Sequence, residues 1–194
     1  NLIFCGNLLD HLFGTLLSRV LGKSPAPAKA KPALPPDDLF ASLEETEEAE
    51  TPSPTTIPTM RIEVLRAETL PAFLVRARGA KVLALDTETT SVDALRAELV
   101  AVTFAFDAET TYYLDIPQGR EEACELLGQL APILQQADTL KVGQNLKYDL
   151  QVLSSYGVEV EGSLFDTMIA HYLLYPDMRH GLDELADKFL GYKM

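Results

Sequence analysis

From residue 60 onward the apolar positions fall into short runs separated by polar turns. The runs near the start are strand-like. Arg61 to Leu65 reads as a short strand and Ala67 to Arg78 as a helix. Lys81 to Thr87 is a strongly apolar strand, Leu99 to Phe106 a second and Thr110 to Ile116 a third, with a turn around Asp107. Three such runs in succession predict antiparallel neighbours. The pattern then changes to a helical period. Glu121 to Gln136 reads as one helix, Leu140 to Val142 as a short strand, and Asn145 to Tyr156 as a helix stopped by Gly157. Phe165 to Leu174 is a helix ending before Pro176, and Leu182 to Leu190 is another. Strands first, then strands alternating with helices, predict an α/β fold: a mixed sheet with helices packed on it.

Two zones precede this part. In residues 1–23, Leu9, Phe13, Leu16, Leu17 and Val20 form one stripe of an amphipathic helix, with Gly22 as its stop. Residues 24–59 hold Pro25, Pro27, Pro32, Pro35, Pro36, Pro52, Pro54 and Pro58, and seven acids between Asp37 and Glu50. Such a stretch buries too little apolar surface to offset its ordering entropy. It reads as a disordered, flexible linker between two domains.

Charge and cysteine content narrow the chemistry. Lys and Arg number 16 against 29 Asp and Glu, a net charge of −13. A chain this acidic has no broad electrostatic footprint for a phosphate backbone. Nucleic acid must be gripped locally, through metal ions, or by another part of a larger protein. Cys5 and Cys124 alone exclude a disulfide scaffold and a cysteine-built zinc site. The apolar opening Leu2-Ile3-Phe4-Cys5 is broken by Asn7, Asp10 and Arg19, too soon for a membrane span. No secretory signal is visible, so the expected setting is cytoplasmic. The start at Asn1 and the end at Met194 read as those of a fragment.

Candidate chemistry begins where the first apolar strand ends. Asp86-Thr87-Glu88-Thr89 follows directly on Val82-Leu83-Ala84-Leu85. Alternation along a strand points Asp86 and Glu88 to the same face. Two ionised carboxylates side by side repel, and a divalent cation between them relieves this. Hard oxygen ligands with no Cys or His nearby favour magnesium or manganese. A bare Asp-x-Glu is also compatible with a polar strand end facing water.

A second cluster is Gly143-Gln144-Asn145-Leu146-Lys147-Tyr148-Asp149. Asn145 and Asp149 lie four apart and share a helix face. Asp149 could bring a third carboxylate beside the strand pair. Asn145 could equally be the N-cap, and Gly143 permits close backbone approach or positive φ. Downstream, Asp166 in Phe165-Asp166-Thr167-Met168 is a natural N-cap for the helix that follows. His180 and Asp183 precede the last helix as caps or phosphate contacts, and His171 and His11 lack metal-ligand spacing.

Together these residues resemble the 3′–5′ exonuclease domain of bacterial DNA polymerase I, within the DEDD exonucleases of ribonuclease H-like fold. The likeness spans residues 60–194. Asp86-Thr87-Glu88-Thr89 resembles the family's first motif, and Asn145-x-x-x-Asp149 within VGQNLKYDL its second. FDTMIAHYLL and RHGLDELA are similar to the segment that follows. FGTLLSRVLG, residues 13–22, resembles the end of the 5′-nuclease domain that precedes the linker.

The resemblance implies hydrolysis of the 3′-terminal phosphodiester of single-stranded DNA with two divalent cations, Mg²⁺ or Mn²⁺. It implies catalytic and metal-holding roles for Asp86, Glu88 and Asp149, with Asp86 shared between the ions and Asp149 acting through water. Thr87, Val92 and Asn145 would contact the substrate, Val92 against the terminal base. A polymerase domain in the same parent chain is the implied partner, and no membrane is. The family's third motif, a Tyr four residues before an Asp, would lie beyond Met194. Residues 60–194 are therefore expected to be an incomplete domain, weak in metal binding and poorly active alone. Two other readings stand beside this one: an RNA-trimming exonuclease similar to ribonuclease D, which shares these motifs, and a non-catalytic scaffold that keeps the fold without its carboxylates. Retention of Asp86, Glu88 and Asp149 argues against the scaffold.

Overall fold

The computed structural model describes residues 61–107 and 109–191. The helix expected over 1–23 and the linker expected over 24–59 lie outside the described residues. Among the described residues six strands form one sheet: β1 (Arg61–Val64), β2 (Val82–Thr89), β3 (Leu99–Ala105), β4 (Thr110–Asp115), β5 (Leu140–Gly143) and β6 (Leu164–Asp166). Their order is β1-β4-β3-β2-β5-β6. β2, β3 and β4 are antiparallel neighbours, as the sequence predicts, while β1 joins β4, and β5 and β6 extend from β2, in parallel. The sheet is therefore mixed, and β2 lies inside it between β3 and β5.

Among the described residues six helices accompany the sheet: α1 (Leu70–Arg78), α2 (Arg120–Gly128), α3 (Ala131–Leu134), α4 (Leu146–Ser155), α5 (Thr167–Leu174) and α6 (Leu182–Leu190). The main core joins Leu83 and Leu85 of β2, Phe104 of β3 and Tyr112 of β4 to Phe73 of α1, Leu127 of α2 and Val152 of α4. The alternate position Ala84 belongs to a separate small cluster with Ala105 and Val142. Phe165 packs against that cluster and also against Leu174 of α5 with Leu185 and Phe189 of α6. β2 is thus apolar on both faces up to Leu85, and its polar residues begin only at Asp86.

Three elements differ from the sequence expectation. The helix expected over 121–136 is two helices, broken between Gly128 and Ala131. Pro132 explains the break, because it has no N–H and its ring clashes with the carbonyl four residues back. Phe165 belongs to strand β6 rather than to the following helix; three residues are too few to leave a strand pattern. α1 starts at Leu70 because residues 66–69 form a turn, in which Arg66 N–H donates to Thr69 Oγ1 at 2.9 Å.

Candidate active site

The end of β2 delivers a half-buried Asp86, a buried Thr87 and an exposed Glu88. The pairing of β2 with β3 runs in register from Ala84↔Ala105 to Glu88↔Ala101, then shifts so that Thr89 faces Leu99. Val100 is therefore the extra residue of a bulge beside Glu88. Bulges re-aim side chains and recur next to active sites.

β5 runs parallel to β2 and leads into α4, which brings Asp149 to the same place. Gly143 makes that approach close. A Cβ there would lie 2.7 Å from Leu146 Cδ1 and 3.1 Å from the carbonyl oxygen of Leu85. Of the two roles left open for this glycine, close approach is the one observed. Asp149 is only 2% exposed. Its Oδ1 accepts two bonds from Thr87, one from the N–H at 2.9 Å and one from the hydroxyl at 2.6 Å. The Thr87 hydroxyl, of a residue expected to touch substrate, braces Asp149.

The carboxylates perturb one another. Burial, then the charges of Asp149 and Glu88, push the Asp86 carboxyl up to about 7. Burial pushes Asp149 up to about 6, the two Thr87 hydrogen bonds pull it back, and the charge of Asp166 adds to the rise. Crowded, partly desolvated oxygens of this kind either take up protons or hold a hard cation. The donor chemistry fits Mg²⁺ or Mn²⁺. Among the described residues no three His, Cys, Asp or Glu side chains converge on one point. Direct ligation by all three acids at once is not built here. With one Asp149 oxygen committed to Thr87, the fit is to a site completed by water.

Beside the acids lies a recess of about 420 Å³, lined by Thr89, Thr90, Ser91, Val92, Asn145 and Tyr148. That volume is in the range of ligand-binding clefts. Val92 is 96% exposed there. The Tyr148 hydroxyl donates to the Ser91 carbonyl and lies 2.5 Å from Thr89 Oγ1, which is 3.1 Å from the same carbonyl. This tie between α4 and the loop carrying Val92 was missed from sequence. Its signal was Tyr148 at the position before Asp149. A larger groove of about 930 Å³, apolar at Leu150, Val160, Leu164 and Ile169, contains none of Asp86, Glu88 and Asp149.

Asn145 is exposed at the N-cap position of α4, in the left-handed region (φ 59°, ψ 42°), and makes no side-chain cap. Asp166 caps α5, as expected, through Met168 N–H and Ile169 N–H. His180 caps nothing with its side chain; its Nδ1 lies 2.7 Å from Nδ1 of the buried His171. No described helix is long and apolar enough to cross a membrane.

The fold and the pattern have known counterparts. Residues 62–194 match the sequence profile of a family described as 3′–5′ exonuclease. DNA polymerase I of Pseudomonas aeruginosa is 35% identical over 167 residues, covering 80% of this chain and 18% of that protein. DNA polymerase I of Chloroflexus aurantiacus is 32% identical over 184 residues, covering 93% of this chain and 19% of that protein. The chain thus spans about a fifth of the length of these relatives. Among solved structures, Brucella melitensis NrnC bound to pGG superposes with a TM-score of 0.57 at 22% identity, covering 70% of this chain and 64% of that one. NrnC with bound Mg²⁺ superposes with a TM-score of 0.55 at 24% identity, with the same coverage of 70% and 64%. The likeness shows that the fold is of the ribonuclease H-like class.

Proposed function

From the premise that the chain belongs to the 3′–5′ exonuclease family, we propose that it removes nucleotides from the 3′ end of single-stranded DNA as the proofreading module of a DNA polymerase I. The family depends on divalent metal ions. The observation that carries the reading is that Asp149, braced by Thr87, stands near enough to the end of β2 for its charge, with that of Glu88, to act on the Asp86 carboxyl. The polymerase belongs to the same parent chain, and the work is done in the cytoplasm during DNA replication and repair. An acidic module suits that arrangement, because the duplex is gripped elsewhere.

Asp86, Glu88 and Asp149 would hold the metal. When bound, two Mg²⁺ or Mn²⁺ ions would supply an activated water and charge stabilisation at the leaving 3′ oxygen. The chain's own residues do the rest. Val92 presents an apolar surface to the terminal base. Asn145, on the same recess, hydrogen-bonds the substrate strand. Thr87 keeps Asp149 in place while the strand moves by one nucleotide. The products are nucleoside 5′-monophosphates and a shortened strand.

The test uses the full-length protein, a 5′-labelled single-stranded DNA, and Mg²⁺ or Mn²⁺. A ladder shortening from the 3′ end is expected from the wild type and not from an Asp86→Ala, Glu88→Ala double variant. A matched RNA strand runs in parallel. Shortening of the RNA in preference to the DNA would move the assignment to an RNA-trimming enzyme, and no shortening of either would leave a scaffold.

A further inference from the structure

Helix α4 begins without help from its own first residue. An N-cap residue ordinarily has an extended backbone and folds its side-chain oxygen onto the N–H two or three residues on. Asn145 does neither. Its φ of 59° is the only positive value at a non-glycine among the described residues, and its side chain makes no cap. Among L-residues Asn tolerates this region best, and partners on its backbone can hold it there.

Asp166 does so from 21 residues downstream. Its Oδ1 accepts from Asn145 N–H at 3.1 Å and its Oδ2 from Leu146 N–H at 2.8 Å. The same Oδ1 accepts from Met168 N–H at 2.9 Å and Ile169 N–H at 3.3 Å. One carboxylate at the β6–α5 junction therefore closes the N-termini of two helices. Capping α5 alone would need only the second pair of bonds.

We propose that Asp166 is a positioning residue for the exonuclease reaction: by capping α4 from outside, it holds Asn145 left-handed and frees its carboxamide to grip the 3′-terminal nucleotide in the recess beside Val92 and Tyr148. This rests on the exonuclease reading. Asn is among the strongest N-cap residues. Without Asp166, Asn145 relaxes to the extended region, caps its own helix, and withdraws its amide from the recess. Asp149 lies one turn further on and stays fixed by Thr87. The loss is therefore one of grip, with the hydrolytic step kept.

The experiment compares Asp166→Ala, Asp166→Asn, Asn145→Ala and the Asp166→Ala, Asn145→Ala double variant in the full-length protein, below every melting midpoint. KM for 5′-labelled single-stranded DNA is expected to rise roughly three- to tenfold in Asp166→Ala, the worth of one hydrogen bond, with kcat within about twofold. Asp166→Asn keeps one acceptor oxygen and falls between. The double variant is expected to have a KM no higher than Asn145→Ala, because both changes remove the same grip. An unchanged KM in Asp166→Ala, or KM effects that multiply in the double variant, overturns the proposal. If Asp166→Ala fails to fold, Asp166→Asn carries the comparison, and an unchanged KM there overturns it equally. The exonuclease reading fails separately, and takes this one with it, if the wild type shortens nothing or if the Asp86→Ala, Glu88→Ala control still does.

Discussion

Thr87 and Asp149 are joined by two hydrogen bonds to one oxygen, the N–H at 2.9 Å and the hydroxyl at 2.6 Å. This fixes the helix α4 carboxylate against the strand that carries Asp86 and Glu88. Thr87→Val keeps the shape, the strand preference and the N–H, and removes only the hydroxyl. A buried bond to a charged acceptor is worth about 1.5–3 kcal/mol, and that is the expected loss on denaturant unfolding. The bond favours the ionised form, so its loss raises the Asp149 pKa further above about 6. The acid limb of the pH–rate profile should move to higher pH. An unchanged limb would show that Asp149 does not titrate in the rate.

Asp86 makes stability depend on pH in a sense that metal reverses. Its folded pKa is about 7, above the ordinary 3.8. Between these values the folded state binds the extra proton, so this contribution is present at low pH and lost as pH rises through about 7. Without metal, the wild type is expected to lose melting temperature between pH 5 and 8 more steeply than Asp86→Asn. Mg²⁺ should raise the melting temperature, and more so at pH 8 than at pH 6, because cation and proton compete for the same oxygens. Thermal scans with Mg²⁺ and with EDTA check both. A Mg²⁺ shift independent of pH and of Asp86 would place metal binding elsewhere.

His171 works in the opposite sense. Burial first, then the neighbouring His180 and Lys188, push its pKa down to about 4 from 6.5. Below about 6.5 the unfolded chain takes up the proton and the folded one does not, so stability is lost as pH falls toward 4. The ring packs on Tyr175 and Phe189, and its Nε2 is buried without a partner. His171→Phe keeps that packing and removes the titration. It should cost about 0.5–1.5 kcal/mol at pH 8, through the lost contact with His180 Nδ1. Between pH 6.5 and 4.5 its melting temperature should fall less than that of the wild type. Parallel declines would show that His171 is not the titrating group.

These relationships were legible to different degrees. The β2 acids could be read because an apolar run ends abruptly at Asp86, and strand alternation sets which of them share a face. The Asn145–Asp149 spacing on α4 could be read from helical periodicity. The bonds that place Asp149 could not, because Thr87 and Asp149 are 62 residues apart and nothing local marks the pair. Asp166 was legible as the cap of α5, where its partners are two and three residues away, and not as the cap of α4, where they are 20 and 21 away. The break between α2 and α3 is a misreading of periodicity, since the apolar spacing continues through Pro132 while the backbone cannot.

Tyr148 connects the helix of the second motif to the loop that follows the first. Its hydroxyl donates to the Ser91 carbonyl and contacts Thr89 Oγ1, while Thr90 closes the same loop by accepting from Glu98 N–H at 3.0 Å. Val92, 96% exposed, has no packing of its own to set its direction. The Tyr148 bond is the one that ties the loop carrying it to α4, beside the loop's own bonds from Thr89 Oγ1 to the Ser91 carbonyl and from Asp93 N–H to Ser91 Oγ. Tyr148→Phe removes the bond and leaves the ring. Part of the recess wall then moves freely, and ordering it is charged to substrate binding. KM for single-stranded DNA should rise roughly threefold to tenfold, the worth of one hydrogen bond, with the larger part of the effect gone in a Val92→Ala background. The change in melting temperature should be small, because the loop is at the surface. A Tyr148→Phe effect on KM that is equal in the wild-type and Val92→Ala backgrounds would show that Tyr148 acts on the substrate directly rather than through the loop.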